Sequence, residues 1–140
     1  METFFSTTET FTKTTNGVKV SVVAHYIDEQ SDPEDEVYVF AYTITIENQT
    51  DDVIQLLNRH WIVFSGEEQC ADVKGEGVVG EQPVLVPGEA YRYTSGTSIH
   101  DPVGVMHGSY TFQSENNDFF DVEIPRFELV CTKIPEMLLN

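Results

Sequence analysis

Strict alternation of apolar and polar residues is the feature that most constrains the fold of this 140-residue chain. In the segment 18–26 apolar side chains occupy every second position, and Lys19 and His25 are among the residues between them. The same period of two recurs over 38–46. Successive side chains of a strand point to opposite faces of a sheet. A period of two therefore predicts strands that are buried on one face only.

The rest of the chain repeats this pattern in short segments, and no window of helical length has a 3.6-residue period. Further predicted strands cover 53–65, 70–74, 90–94, 106–112 and 119–124. The segments between them are rich in Gly, Pro, Asn and Asp, which mark turns. Seven or eight short strands with regular turns predict an all-β sandwich of antiparallel strands.

Three local features refine this prediction. The phase of the apolar residues changes near 56–58, which predicts a β-bulge. Trp61 falls in the third core strand, and we expect it to be buried, as a large aromatic residue commonly is in sandwiches. Gly108 and Tyr110 resemble the start of a tyrosine corner, in which the hydroxyl bonds to nearby backbone.

The length of the chain fits one domain, because single cores usually span about 100–200 residues. We assign the sandwich to residues 18–130. Residues 1–17 are Thr-rich and are predicted to form an arm that is either loose or paired with a sheet edge. Residues 131–140 are predicted to be a C-terminal tail.

The composition is strongly acidic, with 24 Asp and Glu against 7 Lys and Arg and a formal net charge of -17. Such a charge repels nucleic acid and anionic membranes, so neither is an expected partner, whereas cations and basic surfaces are favoured. The simplest interpretation of the charge, and the one we favour, is a role in solubility alone. No signal sequence and no apolar stretch of membrane-spanning length is present, which predicts a cytoplasmic protein. Cys70 and Cys131 lack metal-ligand spacing. The sequence does not decide whether the two form a disulfide.

Several segments together resemble one known family, the ApaG family. They are 30–33, 39–48, 55–62, 73–83, 93–96 and 102–110, and the resemblance extends over Val18–Leu129. It implies an immunoglobulin-like sandwich of the fibronectin type III kind. It also implies an association with cobalt and magnesium efflux and, in larger eukaryotic proteins such as an F-box protein, a role as an interaction module. Thr97 stands where the resemblance implies a cysteine.

A glycine run, Gly75-Glu76-Gly77-Val78-Val79-Gly80, matches G-x-G-x-x-G, and the resemblance implies that it is the characteristic motif of the family. One hypothesis is a phosphate site formed by Lys74, Gly75, Gly77 and Gly80. That chemistry requires a helix after the glycines, and Pro83 opposes one. The alternative is architectural. The three glycines would lie on the connection leaving the strand at 70–74, at least one with positive φ or close to another backbone segment.

Neither a metal centre nor a catalytic centre is predicted. The segment 28–36 contains six carboxylates, and we interpret it as a solvated loop. It lacks the ligand spacing of a calcium-binding loop. The four histidines are not paired at ligand spacing. Ser95 does not lie in a nucleophile elbow. We therefore predict no cofactor and no enzymatic activity.

The sequence thus predicts a non-enzymatic binding module that acts through an unidentified protein partner and is associated by family with cobalt and magnesium efflux. The alternative is a small-ligand sensor for divalent cations or for pyrophosphate and nucleotide phosphates. A homodimer is compatible with either hypothesis.

Overall fold

The computed structural model describes residues 9–132, which form two antiparallel sheets packed face to face. The strands are β1 Phe11–Thr15, β2 Val18–Tyr26, β3 Tyr38–Asn48, β4 Ile54–Ser65, β5 Glu68–Glu76, β6 Val84–Leu85, β7 Ala90–Ile99, β8 Val103–Ser114 and β9 Phe119–Val130. The predicted all-β sandwich is confirmed. Its described part has nine strands, because β1 and the two-residue β6 add to the seven that the pattern delimits. Residues 1–8 and 133–140, parts of the predicted arm and tail, lie outside the described residues.

The two sheets meet closely on one side of the sandwich and leave the other side open. One sheet has the order β1-β2-β3-β7 and the other β5-β4-β8-β9, with β6 paired to the end of β4. β1 pairs with β2 and also contacts β9, where the Asn16 side chain donates to the Asp121 carbonyl at 2.9 Å and Lys13 pairs with Glu123. β5 and β7 are the two edge strands of the opposite side.

The inward faces of the two sheets form a single core, as the alternating pattern predicts. Trp61 is buried there, with ring centroids 5.3 Å from Tyr42 and 6.0 Å from Phe127. The predicted bulge in β4 is confirmed, because the pairing of β4 with β8 shifts register between Leu56 and Asn58. The bulge resets the phase of β4, so the residues after it again alternate between core and solvent.

The acidic segment 28–36 is exposed and contains two short 3₁₀ turns, Asp28–Gln30 and Pro33–Asp35. Ser31 attaches it to the sandwich, since its hydroxyl donates to the Ile27 carbonyl at 2.8 Å and accepts from the Val39 amide at 2.9 Å. These turns are the only helical segments in residues 9–132, and neither could cross a membrane.

The expected tyrosine corner at Tyr110 is wrong. Tyr110 lies in the middle of β8 with its side chain fully buried. Its hydroxyl therefore reaches across the core to the opposite sheet, where it lies 2.5 Å from the hydroxyl of Tyr93 on β7. A side chain in that position cannot return to the backbone at the start of its own strand.

Candidate functional site

The candidate site is a cleft of about 370 Å³ on the open side of the sandwich, hereafter the lateral cleft. It exists because the edge strands β5 and β7 belong to different sheets and do not pair with each other. The glycine run contributes one part of its wall. Its apolar lining consists of Trp61, Val63, Ala71, Val73, Val78, Val79 and Met106.

The polar lining of the lateral cleft consists of Arg59 and the hydroxyl residues Tyr42, Tyr93, Ser95 and Thr97, apart from two glycines. No Asp or Glu is among the described residues that line it, although the chain contains 24 of them. Burial raises the pKa of the Tyr42 and Tyr93 hydroxyls, and the nearby charge of Arg59 acts in the opposite direction on both. The cleft is therefore a cationic, donor-rich site in an anionic protein.

Arg59 organises this site, although the sequence analysis did not single it out. The Nη1 atom donates to the carbonyls of Glu76 and Gly77 at 2.8 and 3.0 Å. The structure records no ion pair between Arg59 and any carboxylate of residues 9–132. The only sign of this role in the sequence is the position of Arg59 in the alternating pattern. Arg59 lies two positions before Trp61, so both side chains are on the inward face of the strand.

The glycine run contains no helix, and each of its glycines has a structural role. Gly75 makes room for Arg59, since a Cβ at that position would lie 2.9 Å from three guanidinium atoms. Gly77 has φ 62°, and a Cβ there would lie 2.2 Å from the Glu81 carbonyl oxygen. Gly80 has φ 80°. The prediction of positive φ is confirmed, but Gly75 lies within β5 and not on the connection that follows it.

A tight turn places Val79 at the mouth of the cleft. The amide of Val78 donates to the Glu81 carbonyl at 2.8 Å, and the Glu81 amide donates back to the Val78 carbonyl at 2.9 Å. The central residues Val79 and Gly80 both have positive φ, 43° and 80°, as in a type I′ turn. Val78 is buried in the core, whereas Val79 is 55% exposed.

The four residues predicted to bind phosphate are not gathered at one point. Lys74 stands opposite His60 in the pairing of β5 with β4, and its side chain is exposed on the outer face of the sheet. Gly80, in contrast, lines the lateral cleft. The amide of Gly77 donates to the Leu57 carbonyl at 2.8 Å, so it is already occupied. Phosphate binding by these residues stays a prediction.

A wider hollow of about 780 Å³ covers the outer face of the five-stranded sheet. Two ion pairs lie in or beside it. Lys13 pairs with Glu123, and His60 pairs with Asp72, with 2.7 Å between the His60 Nε2 and Asp72 Oδ1 atoms. In the described part of the chain no three His, Cys, Asp or Glu side chains are grouped so that they could hold a metal ion. No disulfide joins Cys70 and Cys131.

Comparison with known proteins gives consistent matches. The family model described as the ApaG domain matches residues 28–114. Protein ApaG of Thiobacillus denitrificans is 49% identical over 117 residues, 84% of this chain and 92% of the relative. Protein ApaG of Nitrosomonas europaea is 51% identical with the same coverage. A crystal structure described as an ApaA protein of Bordetella pertussis is 47% identical with a TM-score of 0.79, and the match covers 81% of this chain and 92% of that one.

Proposed function

The chain belongs to the ApaG family, and from that premise we propose that it is a non-enzymatic binding module that holds a segment of a protein partner in the lateral cleft. The observation that carries this proposal is the conformation of Val79. The edge strands beside the cleft and the chemistry of its lining add support.

Val79 combines backbone strain with exposure. A β-branched residue with positive φ is a conformational outlier and costs of order 1–2 kcal/mol. Asn or Gly would occupy this turn position more favourably. The strain is not offset by burial within the protein, because 55% of the residue remains exposed. Strained residues cluster at ligand-binding sites, so we assign Val79 to contact with a ligand at the mouth of the cleft.

The free edge of β7 offers backbone groups to an extended segment. Exposed edges of sheets bind additional strands through main-chain hydrogen bonds, and charged side chains on an edge oppose this. β5 carries several charged residues, among them Glu68, Asp72 and Glu76. The half of β7 that borders the cleft, residues 93–98, contains only Tyr, Thr, Ser and Gly. β7 is therefore the edge on which we place the partner segment.

The same proposal covers the setting of this interaction. The proposal keeps the prediction of a module that binds and does not catalyse. We place the protein in the cytoplasm and its partner in divalent-cation handling, in keeping with the cobalt and magnesium efflux that the family resemblance implies.

The test is affinity capture from a lysate of the source organism by the full chain and three variants. Val79→Glu and Thr97→Glu each put a carboxylate at the cleft, and Val103→Glu makes the same change at a 50% exposed valine outside it. We expect the proteins retained by the wild type to be lost from both cleft variants and kept by Val103→Glu. Retention of the same proteins by all four chains, or by none, contradicts the proposal.

A further inference from the structure

Arg59 has more hydrogen-bond donors than the protein satisfies. A guanidinium carries five N–H groups and accepts nothing. Nη1 donates to two carbonyls, those of Glu76 and Gly77, and the described residues supply no further acceptor. Three N–H donors on a half-buried side chain are therefore available to a ligand. The unused side of the guanidinium is a planar fork of the kind that binds a carboxylate through two parallel hydrogen bonds.

The tyrosine pair at the base of the cleft supplies one more donor. Tyr93 and Tyr110 bring two hydroxyl hydrogens, and the bond between their oxygens uses one of them. Tyr110 is 0% exposed, whereas Tyr93 lines the lateral cleft. When Tyr110 donates to Tyr93, the hydrogen of Tyr93 is left to point to an acceptor in the cleft. A buried hydroxyl without an acceptor is costly, which favours a ligand that provides one.

Within residues 9–132 these donors have no anionic partner. Arg59 is the only cation among the described residues that line the cleft, and no carboxylate lines it. Trp61, Met106 and four valines form the apolar part of the wall, beside the uncharged hydroxyls of Tyr42, Ser95 and Thr97. A matching ligand therefore carries one acceptor-rich anionic group on an apolar body.

We infer that the lateral cleft binds a carboxylate attached to an apolar group, with Arg59 and the Tyr93 hydroxyl as its donors. The inference rests on the proposed function for the position of the ligand and adds its chemistry. The carboxylate belongs either to a free organic acid or to the C-terminus of a peptide. Among the described residues the lateral cleft holds a single cation, and the chain as a whole has a net charge of -17. Both favour a monoanion over pyrophosphate, because the protein repels the higher charge of pyrophosphate.

Trp61 provides the readout, because it is the only tryptophan of the chain and lines the cleft. The full chain is titrated with 4-methylpentanoate, with its neutral amide, with pyrophosphate, and with acetyl-Val-Val-Leu as free acid and as amide. Sodium chloride keeps the ionic strength constant. We expect a saturable change in Trp61 fluorescence with both acids and none with either amide. Tighter binding of the peptide acid identifies a C-terminus as the source, and equal binding identifies a free acid.

Two pairs of variants separate ligand contact from structural damage. Arg59→Gln is expected to weaken acid binding at least tenfold, and Arg92→Gln, on the exposed face of β7, less than twofold. Tyr93→Phe and Tyr110→Phe each break the hydrogen bond between the two hydroxyls, but only Tyr93→Phe removes the donor from the cleft. We expect a loss of at least fivefold for Tyr93→Phe and less than twofold for Tyr110→Phe.

The inference is overturned if the amides bind as well as the acids, if no acid binds, if pyrophosphate binds more tightly, or if the two tyrosine variants behave alike. If the carboxylate inference fails but Val79→Glu still abolishes capture of a partner protein, the proposed function is retained. Conversely, if the acids bind but no protein is captured, the protein partner is rejected and the carboxylate site is retained.

Discussion

The guanidinium of Arg59 lies against Gly75 so closely that a Cβ at residue 75 would be 2.9 Å from Cζ, Nη1 and Nη2 alike. Gly75→Ala must therefore displace the guanidinium from the Glu76 and Gly77 carbonyls. Because the obstacle is the end of a flexible side chain, we expect a modest loss of stability, about 1 kcal/mol, measured by urea denaturation. In an Arg59→Gln background the same change should cost almost nothing. Equal costs in the two backgrounds would show that the contact has no structural role.

Gly77 and Gly80 both have positive φ, but only Gly77 lies against backbone. A Cβ on Gly77 would be 2.2 Å from the Glu81 carbonyl oxygen, whereas one on Gly80 would meet nothing within 4 Å. Gly80→Ala is expected to cost about 1 kcal/mol from strain alone. Gly77→Ala adds a backbone clash and should cost at least about 3 kcal/mol. Urea denaturation of both variants checks this difference, and similar midpoints would refute it.

Val79 should be a site where stability and binding change in opposite directions. Val79→Asn creates the Asn-Gly pair that type I′ turns favour, so we expect about 0.5–1 kcal/mol of stabilisation. Thermal denaturation should show a rise of a few degrees in Tm. Val84→Asn replaces an equally exposed valine without positive φ and should give no increase. The account also requires that Val79→Asn weaken partner capture; a variant that is more stable and still binds normally would contradict it.

The buried tyrosine pair predicts how stability depends on alkaline pH. Burial raises the pKa of Tyr93 and of Tyr110 above the ordinary value of 10.0. Folding therefore favours their protonated forms, so their contribution to stability is complete below about pH 10 and is lost as pH rises above it. Absorbance at 295 nm should show these two phenols titrating only as the chain unfolds. Titration of all six tyrosines in the folded state would contradict this.

The sandwich and much of its core could be predicted from sequence because a period of two determines which residues share a face. Trp61 and the bulge at 56–58 follow from that pattern. The contact of Arg59 with Gly75 could not be predicted, because it depends on which residues of β4 and β5 stand opposite each other. Register is set by strand pairing in space and does not follow from the period of either strand alone.

Two other features of the site escaped prediction for related reasons. Tyr93 and Tyr110 meet across the core from different sheets, and their sequence spacing carries no sign of that contact. The turn at Val79 was hidden because Val-Gly is not among the residue pairs typical of a type I′ turn. The site differs from local sequence preference at Val79, and such departures are expected at functional positions.

The central claim, that a protein partner occupies the lateral cleft, is tested most directly by photo-crosslinking in cells of the source organism. p-Benzoylphenylalanine replaces Thr97 at the cleft in one chain and Lys19, on the outer face of β2 in the same sheet, in another. The account predicts that irradiation joins a specific protein to the chain labelled at position 97, and that position 19 gives no adduct of that size. The same adduct from both positions, or an adduct from position 19 alone, would contradict it.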